Sequence, residues 1–307
     1  MSEFLIIFKD IILPVFILMA IGYYLYLKFK LDLSTLAKLN IYFLVPGFIF
    51  VKLYEATFGL ELFLQVFGFF LLLVALLYII AILIAKVMHI TGSKRNTFAN
   101  SVMFFNSGNY GVPVNDLVFK SDPFAMSIQV IMLTLQNIFL FSYGIFTLRA
   151  ASEGKLRAAL GYFKMPVLYA MLSGVLLNAW NVQVPEPVYV SANYIADAMV
   201  ALALLTLGAQ VAKLEFKKGL ISIYVSILVR LIGGPAIALL IIWLFNLEGT
   251  LAQALFIASA MPTSVNSAVI AEEYKSHPDF AAQTVLFSTI FSMLTVTGVI
   301  YLSRIFF

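Results

Sequence analysis

Residues 106–115 read NSGNYGVPVN, two glycines, one proline and three asparagines set between strongly apolar stretches. Gly108 and Gly111 resist a helix through backbone freedom, and Pro113 removes a hydrogen bond and clashes with the preceding turn. A second stretch, MPTSVN at 261–266, follows the same logic with Pro262, Thr263, Ser264 and Asn266. In lipid, a freed backbone group is costly unless protein or a water-lined cavity satisfies it. A lone proline in a membrane helix only kinks it; two breaks rich in asparagine or hydroxyls point further. Each break exposes the amide end of one half-helix and the carbonyl end of the other. Two breaks crossing near the midplane would hold a carboxylate, a cation, or both.

The membrane itself follows from composition. The chain is 63% hydrophobic and 11% charged, with a mean hydropathy of +1.02, whereas charged residues make up about a quarter of a soluble domain. The absence of cysteine excludes disulfides and cysteine-ligated metals. The net charge of +4 is spread between apolar segments, so the expected partner is a bilayer and not nucleic acid. The opening segment carries Glu3, Lys9 and Asp10 and no small-residue cleavage site, so it reads as a first span.

A bilayer core takes about 20 apolar residues per helix. Such stretches fall at 5–28, 34–54, 61–87, 96–119, 124–149, 156–180, 188–211, 218–246, 250–274 and 279–304. The expectation is an all-α membrane protein of ten transmembrane helices. Alternate connections concentrate basic residues: Lys28, Lys30 and Lys38; Lys86, Lys94 and Arg95; Arg149, Lys155, Arg157 and Lys164; Lys213, Lys217 and Lys218; and Lys275. The opposite face has Lys9, Lys52, Lys120 and Arg304. By the positive-inside rule both termini lie on the non-cytoplasmic side of the cell membrane.

The fourth and ninth spans share a pattern. Phe105 precedes Val114-Asn115 and Val118 as Phe256, 151 residues later, precedes Val265-Asn266 and Val269. The same offset carries the first five spans approximately onto the last five. Five is odd, so the second set, 153–307, inserts upside down relative to the first, 1–152. Two inverted five-helix repeats, with broken crossing helices 4 and 9, form the architecture of secondary transporters.

NSGNYGVPV in the fourth span, and MPTSVNSAVIAEEY followed by HPD in the ninth, resemble the auxin efflux carrier family, which includes plant auxin exporters and bacterial permeases for malate and malonate. The resemblance runs over all ten spans, and the plan is similar to that of bile acid sodium symporters. It implies crossing helices 4 and 9 inside a mobile core of helices 3–5 and 8–10. It also implies elevator-type movement against a scaffold of helices 1, 2, 6 and 7, and homodimerisation through that scaffold. Carried onto this chain, the substrate-binding residues are Asn106, Asn109, Gly111 and Pro113 with Pro262, Thr263, Ser264 and Asn266. The long cytoplasmic loop of some plant auxin exporters is missing, since the connection from Arg149 to Leu156 is short.

Intramembrane charges are costly and usually functional. Arg230, just before Gly233, Gly234 and Pro235, is a candidate to hold a substrate carboxylate in a bidentate fork. A structural pair with Asp116 is the alternative. Asp116 and Asp197 are candidates for ion coupling, Asp116 being favoured because it adjoins the first break. Gln136 and Asn137 either line the cavity or glue helices. Glu272, Glu273 and His277 read as a solvated end of the ninth span, and Tyr23, Tyr24, Tyr26 and Tyr42 as interfacial aromatics.

The reading is a secondary active transporter of a small mono- or dicarboxylate, with no cofactor and with H+ or Na+ as coupling ion. An intramembrane enzyme finds no footing: the histidines, His89 and His277, lie near helix ends, and no protease-like constellation surrounds the aspartates. A channel or a transporter-like sensor is the alternative.

Overall fold

The computed structural model describes residues 3–56, 59–149, 166–213 and 221–307. Among the described residues the regular elements are all helical, with one isolated antiparallel bridge between Phe105 and Thr263. In chain order the helices are α1 (Glu3–Phe29), α2 (Leu33–Tyr54) and α3 (Leu60–Val87), then α4 (Gly92–Met103) and α5 (Val112–Phe119). After α6 (Pro123–Leu148) and α7 (Pro166–Ala179) come α8 (Glu186–Lys213) and α9 (Ile221–Leu244). The chain ends with α10 (Gly249–Ser259) and α11 (Val265–Glu273) and then α12 (Pro278–Phe306).

Seven of these, α1, α2, α3, α6, α8, α9 and α12, are long and apolar enough to cross a membrane. Their outer faces carry exposed Leu, Ile, Phe, Tyr and Trp side chains, a surface suited to lipid and costly in water. The expected starts of the sixth and eighth spans, at 156 and 218, lie outside the described residues. So do Lys155, Arg157, Lys164, Lys217 and Lys218.

Prolines shape the spans in a repeated way. Wide π-turns occupy Phe8–Ile12, Asn40–Leu44, Ser107–Gly111 and Val229–Gly233. Each is followed, two residues on, by Pro14, Pro46, Pro113 or Pro235. A proline ring presses on the carbonyl four residues back and offers no N–H to it. Widening that turn to an i+5 pattern relieves the pressure without ending the helix. At the aqueous end, Asp32 caps α2 by accepting from the Ser34 and Thr35 amides at 3.1 and 3.2 Å. The Thr35 hydroxyl and then the Ser34 amide hold its carboxyl below the usual value.

Packing divides the described helices around two apolar clusters. One draws on α2, α7 and α8 with the facing sides of α5 and α6. The larger one joins α1, α3, α9, α10 and α12 with α4. α1 and α8 meet at backbone contact. A Cβ on Gly22 would lie 2.1 Å from the Leu205 carbonyl oxygen, and one on Gly208 would lie 1.8 Å from that of Met19. Only glycine at both positions allows this approach. Where α2 ends, Asn178 donates to the Tyr54 and Ala56 carbonyls at 2.5 and 2.9 Å, tying α2 to α7.

Candidate functional site

The two stretches singled out by composition meet. α4 stops at Met103, Phe104 turns extended, and the chain resumes helical form at Ser107. α10 stops at Ser259 and α11 begins at Val265. Between these ends the two extended segments hydrogen-bond to each other. Asn106 N donates to Pro262 O at 2.7 Å, and Ser264 N donates to Phe104 O at 2.9 Å. The offset of 151 residues does not equate the residues that pair: Phe105 lies in the extended segment and bridges Thr263, whereas Phe256 lies within α10.

The remaining backbone groups of the crossing find side chains, as buried groups must. The Thr263 hydroxyl donates to Ser101 O at 3.0 Å, and the Ser288 hydroxyl accepts from Thr263 N at 3.1 Å. Gln129 Nε2 donates to Ser107 O at 2.7 Å and to its hydroxyl at 3.0 Å. Gly111 N donates to Asn106 O at 2.9 Å, and Gly111 carries no side chain because a Cβ would meet Gln129 Nε2 at 2.6 Å. Both prolines are buried, Pro262 within the second break and Pro113 in the helix that follows the first.

Some buried polar atoms near the crossing are left without a partner. Asn106 is 5% exposed, and its Nδ2 has no partner. Asn40, on the π-turn of α2, is 5% exposed and donates through Nδ2 to Asn109 Oδ1 at 2.9 Å while its own Oδ1 has no partner. Asn109, Asp116 and Asn266 are half-buried, and Ser264 is buried. An orphaned amide atom in a dry site, such as Asn106 Nδ2 or Asn40 Oδ1, costs about 1–3 kcal/mol. A cavity of about 870 Å³ opens beside the second break. It is lined by Lys38 and Tyr42 of α2, Gln210 and Lys213 of α8, and Val265 and Glu272 of α11. Its mouth carries a Lys213–Glu272 ion pair at 3.9 Å, on the face where basic residues concentrate.

The charged candidates take separate places. Arg230 is 0% exposed, on the π-turn of α9. It does not pair with Asp116. Its Nη1 donates to Val102 O at 3.0 Å, its Nη2 to Ser259 O, and its guanidinium lies 5.2 Å from the Phe105 ring centre. Asp116 accepts from the Ser121 hydroxyl at 2.9 Å, at the far end of α5. Asp197 is exposed on the face of α8. Gln136 and Asn137 are buried in α6, and both polar atoms of the Gln136 amide lack a partner. Among the described residues no cluster of His, Asp and Glu is arranged to hold a metal.

Sequence reasoning missed Asn40, Gln129 and Ser288. Asn40 carried a signal, since it opens the turn that Pro46 widens. Gln129 and Ser288 carried none beyond being polar in apolar helices.

The chain matches the family described as membrane transport protein over residues 7–159 and 155–300. It is 24% identical over 300 residues to an uncharacterized transporter of Methanocaldococcus jannaschii, covering 94% of this chain and 96% of that one. It is 26% identical over 224 residues to a Rhizobium meliloti protein named provisionally as a malonate transporter, covering 69% of this chain and 70% of that one. Auxin efflux carrier component 6 of Arabidopsis thaliana is 31% identical over 135 residues, covering 42% of this chain and 24% of the plant protein.

Proposed function

The chain belongs to the membrane transport protein family, and from that premise we propose that it is a secondary active transporter of a small mono- or dicarboxylate, with its site at the crossing of the two interrupted helices. The observation that carries this reading is the crossing itself, two extended segments joined by Asn106 N to Pro262 O and Ser264 N to Phe104 O, with the Asn106 amide donor left free. Helix ends pointing at one spot in a low-dielectric medium favour a charged solute. The free amide supplies a donor to a carboxylate, which accepts hydrogen bonds but donates none.

In this reading the ten spans form two inverted five-helix repeats, 1–152 and 153–307, with helices 4 and 9 broken. The substrate meets Asn106, Asn109, Gly111 and Pro113 from one repeat and Pro262, Thr263, Ser264 and Asn266 from the other. The hydrogen bond from Asn40 Nδ2 to Asn109 Oδ1 joins the second span to the first break. Elevator-type movement of helices 3–5 and 8–10 against helices 1, 2, 6 and 7 has to break it in each cycle. The cavity beside α11 is the route to the cytoplasmic side. The protein sits in the cell membrane with both termini outside the cytoplasm, and two copies associate through the scaffold. Asp116 carries the coupling ion. A malonate assignment on one relative and auxin efflux on another agree with a carboxylate.

Counterflow of labelled malate and malonate in proteoliposomes tests the proposal, with indole-3-acetate as competitor and sodium and pH gradients varied independently. Accumulation that a competing carboxylate blocks is the expected result. Absence of counterflow with all three, from folded protein, rejects the substrate class; flux without counterflow rejects the carrier in favour of a channel.

A further inference from the structure

Arg230 stands apart from the other charged groups among the described residues. It is 0% exposed, and among the described residues no acidic side chain pairs with it. A buried guanidinium without a carboxylate is expensive unless its donors are engaged. Its two terminal nitrogens do find acceptors, the carbonyl oxygens of Val102 and Ser259.

Those two carbonyls are not arbitrary. Val102 lies in the last turn of α4, and Ser259 is the last residue of α10. In an unbroken helix Val102 O would accept from the amide four residues on, that of Asn106, and Ser259 O from that of Thr263. Both amides have been redirected: Asn106 N donates to Pro262 O, and Thr263 N donates to the Ser288 hydroxyl. One guanidinium thus replaces the two backbone donors that the crossing removed, one from each half of the chain. A cation at two helix C-termini is also favoured by the partial negative charge there. The Phe105 ring, on the extended segment between them, lies against the same guanidinium at 5.2 Å. Gly234 completes the arrangement, because a Cβ there would lie 2.3 Å from Arg230 Nη2.

We propose that Arg230 is the positioning residue of the crossing, a clasp that holds the carbonyl ends of α4 and α10 together and lends the site a positive charge without touching the solute. The inference rests on the geometry of the crossing and not on which anion is carried. It replaces the substrate fork expected of Arg230 from its position alone. One N–H of each terminal nitrogen is spent on a carbonyl, and Nε, though without a partner, is fully buried.

Hydrogen–deuterium exchange on the full chain in lipid nanodiscs, without substrate, tests it. In Arg230→Lys a single ammonium keeps the charge but cannot span both carbonyls. In Gly234→Ala the arginine stays and its Nη2 is displaced. Both variants should exchange the amides of 104–107, 261 and 263–265 at least about tenfold faster than the wild type, with the amides of α12 unchanged. Wild-type exchange in either folded variant overturns the proposal. If exchange in the empty protein is unchanged while substrate binding is lost, Arg230 is a substrate ligand, which also overturns it. The wild-type chain offers a test that no folding defect can obscure. One clasp ties both segments, so they should open with a single rate; two different opening rates overturn the proposal.

Discussion

The contact of α1 with α8 and the crossing of the interrupted helices are both close backbone approaches, built in opposite ways. At the first, glycine faces carbonyl on each side, Gly22 toward Leu205 and Gly208 toward Met19, and no side chain intervenes. At the second, the backbone gives up its helical hydrogen bonds, and Thr263, Ser288, Gln129 and Arg230 take their place. Close packing of this kind has one good arrangement and resists displacement. A polar crossing with orphaned amide atoms is where we propose that a solute binds. The difference separates a region suited to hold still from one suited to bind and release.

The strongest way to break the comparison is at the glycines. Gly208→Ala places a Cβ against the Met19 carbonyl, where neither backbone can move away cheaply, and should destabilise the protein by about 3 kcal/mol. A thermal melt followed by size-exclusion chromatography reads this; a melt unchanged from wild type would mean that the two helices can separate freely. At the crossing the expectation reverses. Asn106→Ala and Asn266→Ala should each leave the melt within a degree or so while slowing counterflow about 10- to 100-fold, the worth of one or two hydrogen bonds to a charged solute. Wild-type rates in the folded mutants would remove the crossing as the site.

Smaller effects sharpen the boundary between the two regions. Asn40→Ala deletes the amide that links α2 to Asn109, and should change counterflow about fivefold, the worth of one neutral hydrogen bond. If the rate and half-saturation both stay at wild-type values, Asn40 belongs to the fixed region and not to the site. Asp116→Asn should leave maximal counterflow near wild type and remove its response to a pH gradient. A response that persists would rule out Asp116 as the coupling group and turn attention to the hydroxyls of the second break.

Much of this was legible one residue at a time. Pro262 falls in the second break because a missing N–H is a local fact, whereas Pro113 lies inside the helix that resumes after Phe104. The π-turns before Pro14, Pro46, Pro113 and Pro235 obey the same rule and could have been read four times over. The pairing of Arg230 with Asp116 failed for the complementary reason. Opposite charges in apolar spans suggest a pair, but the sequence does not say which groups are already satisfied. Asp116 is occupied by Ser121 and Arg230 by two carbonyls. The offset of 151 residues relates positions of two repeats and is silent on which residues meet across the crossing, where Phe105 bridges Thr263.

The sequence by itself determined that the chain lies in a bilayer, that its elements are helices, and that two of its apolar stretches are interrupted, since hydropathy, proline and glycine act over a few neighbouring residues. Only the tertiary structure decided that the interruptions meet, that Asn40 reaches Asn109, and that one guanidinium serves both helix ends. Val102 and Arg230 are separated by 128 positions, and hydrogen bonds over such distances depend on how helices pack, which no local pattern encodes.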